Sequence, residues 1–159
     1  MQTFYGKYRA KVVDVKDPEK RGRIKVLCPK VLGDSRSAWC EPCIPVAYDY
    51  GGDFAIPKVG EFVWVEFEEG NSNKPVYTGG LWSTNKSPSS AYNTSSRLLT
   101  WGGCTITMTD SQLKLSVGNS VLTLSGSGNI TYNGRTLARI GDDILCSNNL
   151  EGKITGSND

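Results

Sequence analysis

From Thr105 onward the chain is written in short alternating runs: Thr105-Ile106-Thr107-Met108-Thr109, Gln112-Leu113-Lys114-Leu115-Ser116-Val117, Val121-Leu122-Thr123-Leu124-Ser125 and Asn129-Ile130-Thr131-Tyr132. Alternation with period two marks strands that have one apolar and one polar face. Turn residues separate the runs at Thr109-Asp110-Ser111, Gly118-Asn119-Ser120, Gly126-Ser127-Gly128 and Asn133-Gly134. Each run supplies only two or three large apolar side chains, and after Trp101 the only aromatic residue is Tyr132. A segment of this size and composition buries too little apolar surface to offset the entropy of ordering itself. Its regular alternation and low charge fit poorly with disorder. Two solutions remain: a second small β-sandwich within one chain, or a core shared among copies. Three copies wound about an axis would pool Ile106, Met108, Leu113, Leu115, Val117, Leu122, Leu124 and Ile130 in one narrow core. Such closure also pairs strand edges between chains. The shared core is the expectation we carry forward.

Residues 1–82 alternate as well, in Tyr8-Arg9-Ala10-Lys11-Val12-Val13-Asp14-Val15, Gly22-Arg23-Ile24-Lys25-Val26-Leu27-Cys28, Glu61-Phe62-Val63-Trp64-Val65-Glu66-Phe67 and Pro75-Val76-Tyr77-Thr78-Gly79-Gly80-Leu81-Trp82. Turns at Asp17-Pro18-Glu19-Lys20, Leu32-Gly33-Asp34, Tyr50-Gly51-Gly52-Asp53 and Glu69-Gly70-Asn71-Ser72-Asn73 part them. Four or five short strands at this spacing predict a small closed barrel. Helical periodicity is absent. Residues 83–96, rich in Ser, Asn, Thr and Pro, read as a linker. The division is therefore 1–82 barrel, 83–96 linker and 97–159 needle, an all-β chain.

The chemistry available is narrow. The sequence has no histidine, which removes Ser-His-Asp and Cys-His catalysis and the commonest metal ligand. The net charge of +2 lacks the basic excess of nucleic-acid domains. The one basic cluster, Lys20-Arg21-Gly22-Arg23-Ile24-Lys25, reads as a solvated turn balanced by Asp14, Asp17 and Glu19. Tyr48, Tyr50 and Phe54 could stack bases in single-stranded nucleic acid, yet no basic groove accompanies them. Cys40-Glu41-Pro42-Cys43 has the spacing of a thiol oxidoreductase, but the helix that would lower a thiol pKa is missing, so packing cysteines are expected. Cys28, Cys40 and Cys43 would give zinc three of four sulfurs. Glu66, Glu68 and Glu69 raise glycoside hydrolysis; alternation puts Glu66 and Glu68 on a solvent face. No stretch approaches the ~18 apolar residues of a membrane helix, and the first residues lack a signal-peptide pattern. Five cysteines at irregular spacing fit assembly in a cytoplasm.

Several stretches resemble a known family. They are Gly6-Lys7-Tyr8-Arg9-Ala10-Lys11-Val12, Asp17-Pro18-Glu19-Lys20-Arg21-Gly22-Arg23-Ile24-Lys25-Val26, Cys28-Pro29-Lys30-Val31-Leu32-Gly33-Asp34 and Ala38-Trp39-Cys40-Glu41-Pro42-Cys43-Ile44-Pro45. The strongest is Phe54-Ala55-Ile56-Pro57-Lys58-Val59-Gly60-Glu61-Phe62-Val63-Trp64-Val65-Glu66-Phe67-Glu68-Glu69-Gly70, ending in Lys74-Pro75-Val76-Tyr77-Thr78-Gly79. Together they resemble the oligonucleotide/oligosaccharide-binding (OB) barrel at the base of contractile phage tail spikes. Related barrels occur in phage baseplate assembly protein V and in the valine-glycine-repeat spikes of type VI secretion. The resemblance implies a non-enzymatic homotrimer with a trimeric β-helix or β-prism needle. It would dock on a tail hub and baseplate, pierce a target envelope, and reside in a virion or extracellular injection particle. Docking loops would be Tyr48-Asp49-Tyr50 and Asn71-Ser72-Asn73. Leu137-Ala138-Arg139-Ile140-Gly141-Asp142-Asp143-Ile144 resembles the PAAR spike tips, which bind a metal through His and Cys. Without histidine, no cofactor is expected here. The tip residues Asp142, Asp143 and Cys146, repeated threefold, could hold an ion. The rival readings are a single-strand nucleic-acid-binding OB protein and a thiol oxidoreductase.

Overall fold

The computed structural model describes residues 2–84, 86–87, 94–137, 143–145 and 151–153. They fall into two units, Met1–Ser87 and Pro88–Asp159. The first unit holds β1 (Tyr8–Asp14), β2 (Lys25–Leu27), the single-turn helix α1 (Pro29–Leu32), β3 (Glu41–Pro42), β4 (Ala47–Tyr48), β5 (Gly51–Gly52), β6 (Phe62–Phe67) and β7 (Pro75–Leu81). Five of these strands make one sheet in the order β2-β1-β6-β7-β3. Neighbours run antiparallel, except that β3 lies parallel to β7. The sheet then curls onto itself. Ile24 and Cys40 form an antiparallel bridge in which each N–H donates to the other's carbonyl, at 3.2 and 2.8 Å. That bridge joins the chain before β2 to the chain before β3 and completes a ring, so neither outer strand is left as an open edge. Register irregularities at Val12/Asp14 and Trp64/Val65 supply the bends that tight closure needs.

Alternation decides what the ring encloses. Ala10, Val12, Ile24, Val26, Cys28, Cys40, Val63, Val65, Phe67 and Tyr77 form the core, while Arg9 and Lys11 between them point outward. Full burial of a valine or isoleucine contributes ~1.5–3 kcal/mol, and Val12, Ile24, Val26, Val63 and Val65 are each at most 1% exposed. Phe4, Tyr8 and Phe67 close one end of the core, with ring centroids 5.7 to 6.4 Å apart. There the N–H of Phe4 donates to the carbonyl of Gly70 at 2.9 Å. Gly70 has φ +74°, and a Cβ would lie 3.0 Å from both the Phe4 nitrogen and the Thr3 Cβ. Only glycine suits that approach. The helix α1 starts at Pro29 and stops at Gly33 (φ +56°) after one turn, in keeping with the expectation of no long helix.

The second unit is a meander. Strands β8 (Ser96–Trp101), β9 (Cys104–Thr109), β10 (Gln112–Val117), β11 (Ser120–Ser125), β12 (Ile130–Tyr132) and β13 (Arg135–Thr136) pair with their sequence neighbours in one antiparallel sheet. A separate pair joins β14 (Asp143–Leu145) to β15 (Glu151–Lys153). Two-residue turns connect β8 to β9, β10 to β11 and β12 to β13. The last, Asn133-Gly134, has φ of +49° and +78°, as a type I′ hairpin requires. The sequence reading did not assign a strand to Ser96–Trp101, because Leu98-Leu99 interrupts the alternation. Among the described residues 94–137, none is buried.

Candidate functional site

Strand register gathers the apolar residues of the meander onto one face. Arg97 lies opposite Met108, Met108 opposite Leu113, Leu113 opposite Leu124 and Leu124 opposite Ile130. A parallel row runs Leu99, Ile106, Leu115, Leu122, Tyr132 and Arg135. A third runs Trp101, Cys104, Val117 and Ser120. Because side chains alternate along each strand, these three rows share a face. The opposite face carries Thr105, Thr107, Thr109, Lys114, Ser116, Thr123 and Ser125, with Leu98 and Val121 as its apolar members. All eight residues read as core from the sequence, namely Ile106, Met108, Leu113, Leu115, Val117, Leu122, Leu124 and Ile130, stand on the apolar face. In a single copy it is wet: Ile106 and Leu115 are each 37% exposed and Val117 is 61% exposed. Leu99, Trp101 and Tyr132 belong to this face too; a two-residue turn at Gly102-Gly103 pairs Trp101 with Cys104 and Leu99 with Ile106, which would have placed the first two. Of the tip residues, Asp142 and Cys146 lie outside the described residues, and Asp143 opens β14.

On the barrel, Tyr48 belongs to the β4–β5 hairpin and lies opposite Gly51, with Asp49-Tyr50 as the turn. The Tyr48 ring covers Gly51, where a Cβ would overlap it. Tyr50 takes a left-handed φ of +62° and stands fully in solvent. Asn71 follows a 3-10 turn at Glu68–Gly70, and its Oδ1 accepts from the N–H of Asn73 at 3.0 Å. Asn71 and Asn73 line a shallow hollow with Gln2, Thr3 and Glu69 that includes neither tyrosine.

The residues with chemical potential are engaged in structure. Cys40 is buried at the ring-closing bridge, where burial pushes its thiol up to about 11. Its Sγ lies 3.4 Å from Ser37 Oγ, which accepts from the N–H of Val26 at 2.9 Å. Burial also raises the Cys28 thiol, while Cys43 is exposed. A redox or nucleophilic thiol needs the opposite shift. Among the described residues, no cluster of three or more His, Cys, Asp or Glu could hold a metal. Glu66 pairs with Lys7 at 2.9 Å; Glu68 sits in the 3-10 turn rather than on the strand.

The basic stretch corrects the sequence reading. It is not simply a solvated turn, because Arg23 is buried. Its Nε and Nη2 donate to Asp17 Oδ1 at 3.0 and 2.7 Å, and Nη2 also meets Glu19 at 2.9 Å. The N–H groups of Arg21 and Arg23 donate to Asp17 Oδ2. Arg21 reaches Glu41 at 2.9 Å. The charges organise the β1–β2 loop and leave Lys20 at its exposed tip.

Residues 8–82 match the family model of the type VI secretion system/phage-baseplate injector OB domain. No curated protein matches the chain.

Proposed function

Taking as premise that the barrel of residues 8–82 is an injector OB domain of the phage-baseplate and type VI secretion kind, we propose that the chain is the central spike of such a device, a structural homotrimer. One observation carries this reading: a single-layered sheet most of whose apolar face, with Leu99, Ile106, Leu115, Val117, Leu124 and Ile130, is exposed in one copy. Three copies would turn those faces toward a common axis. Strands lie ~4.8 Å apart and rise ~3.4 Å per residue. Each face is therefore about 24 Å tall and about 17 Å wide, and three of them close a slender prism. Leu99, Ile106, Leu115 and Leu122 run down its middle, and the threonine-rich faces meet water.

The role is mechanical. A spike concentrates the force of contraction on a small area of envelope. It needs stiffness and an absence of free strand edges, both of which a prism of paired strands supplies. The ring-closed barrel is the base that docks on the tail hub. The Tyr48-Asp49-Tyr50 hairpin and the Asn71-Ser72-Asn73 turn are the docking loops of this reading, and nothing in the role calls for a cofactor or a catalytic residue.

The test is copy number. Native mass spectrometry of the wild-type chain should give three copies that persist on dilution. Leu115→Asp puts a charge in the central row and should leave single copies, whereas Thr123→Asp, on the opposite face, should keep three. A wild-type chain that stays single at micromolar concentration defeats the proposal.

A further inference from the structure

A groove of about 560 Å³ opens on the outer wall of the barrel, where β1, β6 and the end of β7 meet. Its floor is Phe62 and Leu81, opposite each other in the β6–β7 register. Trp82 stands at its side, 68% exposed. Beyond it the chain turns, with the N–H of Lys86 donating to the carbonyl of Ser83 at 3.1 Å, and Ser83, Thr84 and Ser87 line that wall. Arg9 lines the other. Its guanidinium lies 5.4 Å from the centre of the Trp64 ring, the residue opposite it across β1 and β6. No carboxylate lines the groove or pairs with Arg9 among the described residues.

The geometry points to a binding site for an acidic saccharide, a pyranose unit bearing a carboxylate. The volume falls in the range of small-ligand sites. An exposed indole is costly to leave wet and offers a flat apolar platform for the C–H face of a sugar ring. Three hydroxyls, each both donor and acceptor, match a ring of sugar hydroxyls. A guanidinium held in place by stacking presents its fork to a carboxylate with little further ordering. Single-stranded nucleic acid is the poorer fit, since a backbone needs a file of cations along the groove and, among the described residues, Arg9 is the only one lining it.

The test uses the full chain, following tryptophan fluorescence and saturation-transfer NMR during titration with trigalacturonate. Maltotriose serves as the neutral control and oligo-dT as the nucleic-acid control. Trigalacturonate should bind, and Arg9→Gln and Trp82→Ala should each weaken it about tenfold or more, as loss of a charge-assisted hydrogen bond or a stacking face implies. Both side chains point away from the barrel core, so melting temperature and copy number should not change in either variant. No binding of trigalacturonate, equal binding of maltotriose, or tighter binding of oligo-dT overturns the inference. Copy number measured on the same samples keeps that failure separate from failure of the spike reading.

Discussion

A charged run in a sequence says little about which of its members is solvated. Lys20-Arg21-Gly22-Arg23 looks uniformly exposed, yet Arg23 is enclosed while Lys20 is not. The difference is Asp17, whose carboxylate accepts from the Arg23 side chain and from the backbone N–H groups of Glu19, Arg21 and Arg23. Those bonds, led by the Arg23 guanidinium, hold the carboxyl well below the usual aspartate range against the opposing pull of burial. An unfolded aspartate titrates near pH ~4. A carboxyl depressed on folding contributes stability that is fully present above the unfolded value and is lost as pH falls toward the folded one. Asp17→Asn should therefore melt well below the wild type at pH 6. The gap should shrink steadily below about pH 4, as the wild type loses what the variant never had. Melting curves from pH 6 down to 2 check this, and a gap that ignores pH would show that Asp17 does not act through its charge.

Strands were the most legible elements, because their signal is local. The alternation in Glu61–Phe67 states both the strand and its inward face, and β6 buries Val63, Val65 and Phe67 accordingly; the alternation in Gln112–Val117 states the strand, which is β10. The residues predicted a closed barrel but did not state which segments close it. Two residues of β3 and one bridge complete the ring, and Cys40-Glu41-Pro42 carries no strand pattern of its own; the partner is remote in sequence. The β4–β5 hairpin was likewise seen as loop, since Tyr50-Gly51-Gly52-Asp53 reads as a turn. The apolar face of the meander was legible in eight residues, and the outer-wall groove in none, because it depends on which strands become neighbours. Closure makes Ile24 decisive: it is fully buried and both its backbone groups bond Cys40. Ile24→Ala should cost ~2–5 kcal/mol and Ile24→Val ~0.5–1.5 kcal/mol, the cavity accounting for the difference. Urea unfolding of the barrel measures both, and equal costs would mean that the site relaxes around the lost atoms.

At the scale of the whole chain, the two units stand on different footings. The barrel carries its own core of fully buried valines and isoleucine, so its stability belongs to a single copy. The meander has backbone pairing but no buried side chain among residues 94–137, and hydrogen bonds alone return little net free energy against chain entropy. On the spike reading its order depends on what covers its face. If that cover is sister chains, protection in the meander is linked to assembly by mass action and falls with concentration, whereas barrel protection does not. Amide exchange separates the two. In the wild type, β1, β6 and β9–β11 should all exchange slowly. In Leu115→Asp, amides across Cys104–Ser125 should exchange orders of magnitude faster, because their opening no longer requires separating copies. Those of Tyr8–Asp14 and Phe62–Phe67 should keep their wild-type rates. Slow exchange across Cys104–Ser125 in a chain shown to be single would mean that the sheet holds itself, and the shared core would then have no work to do.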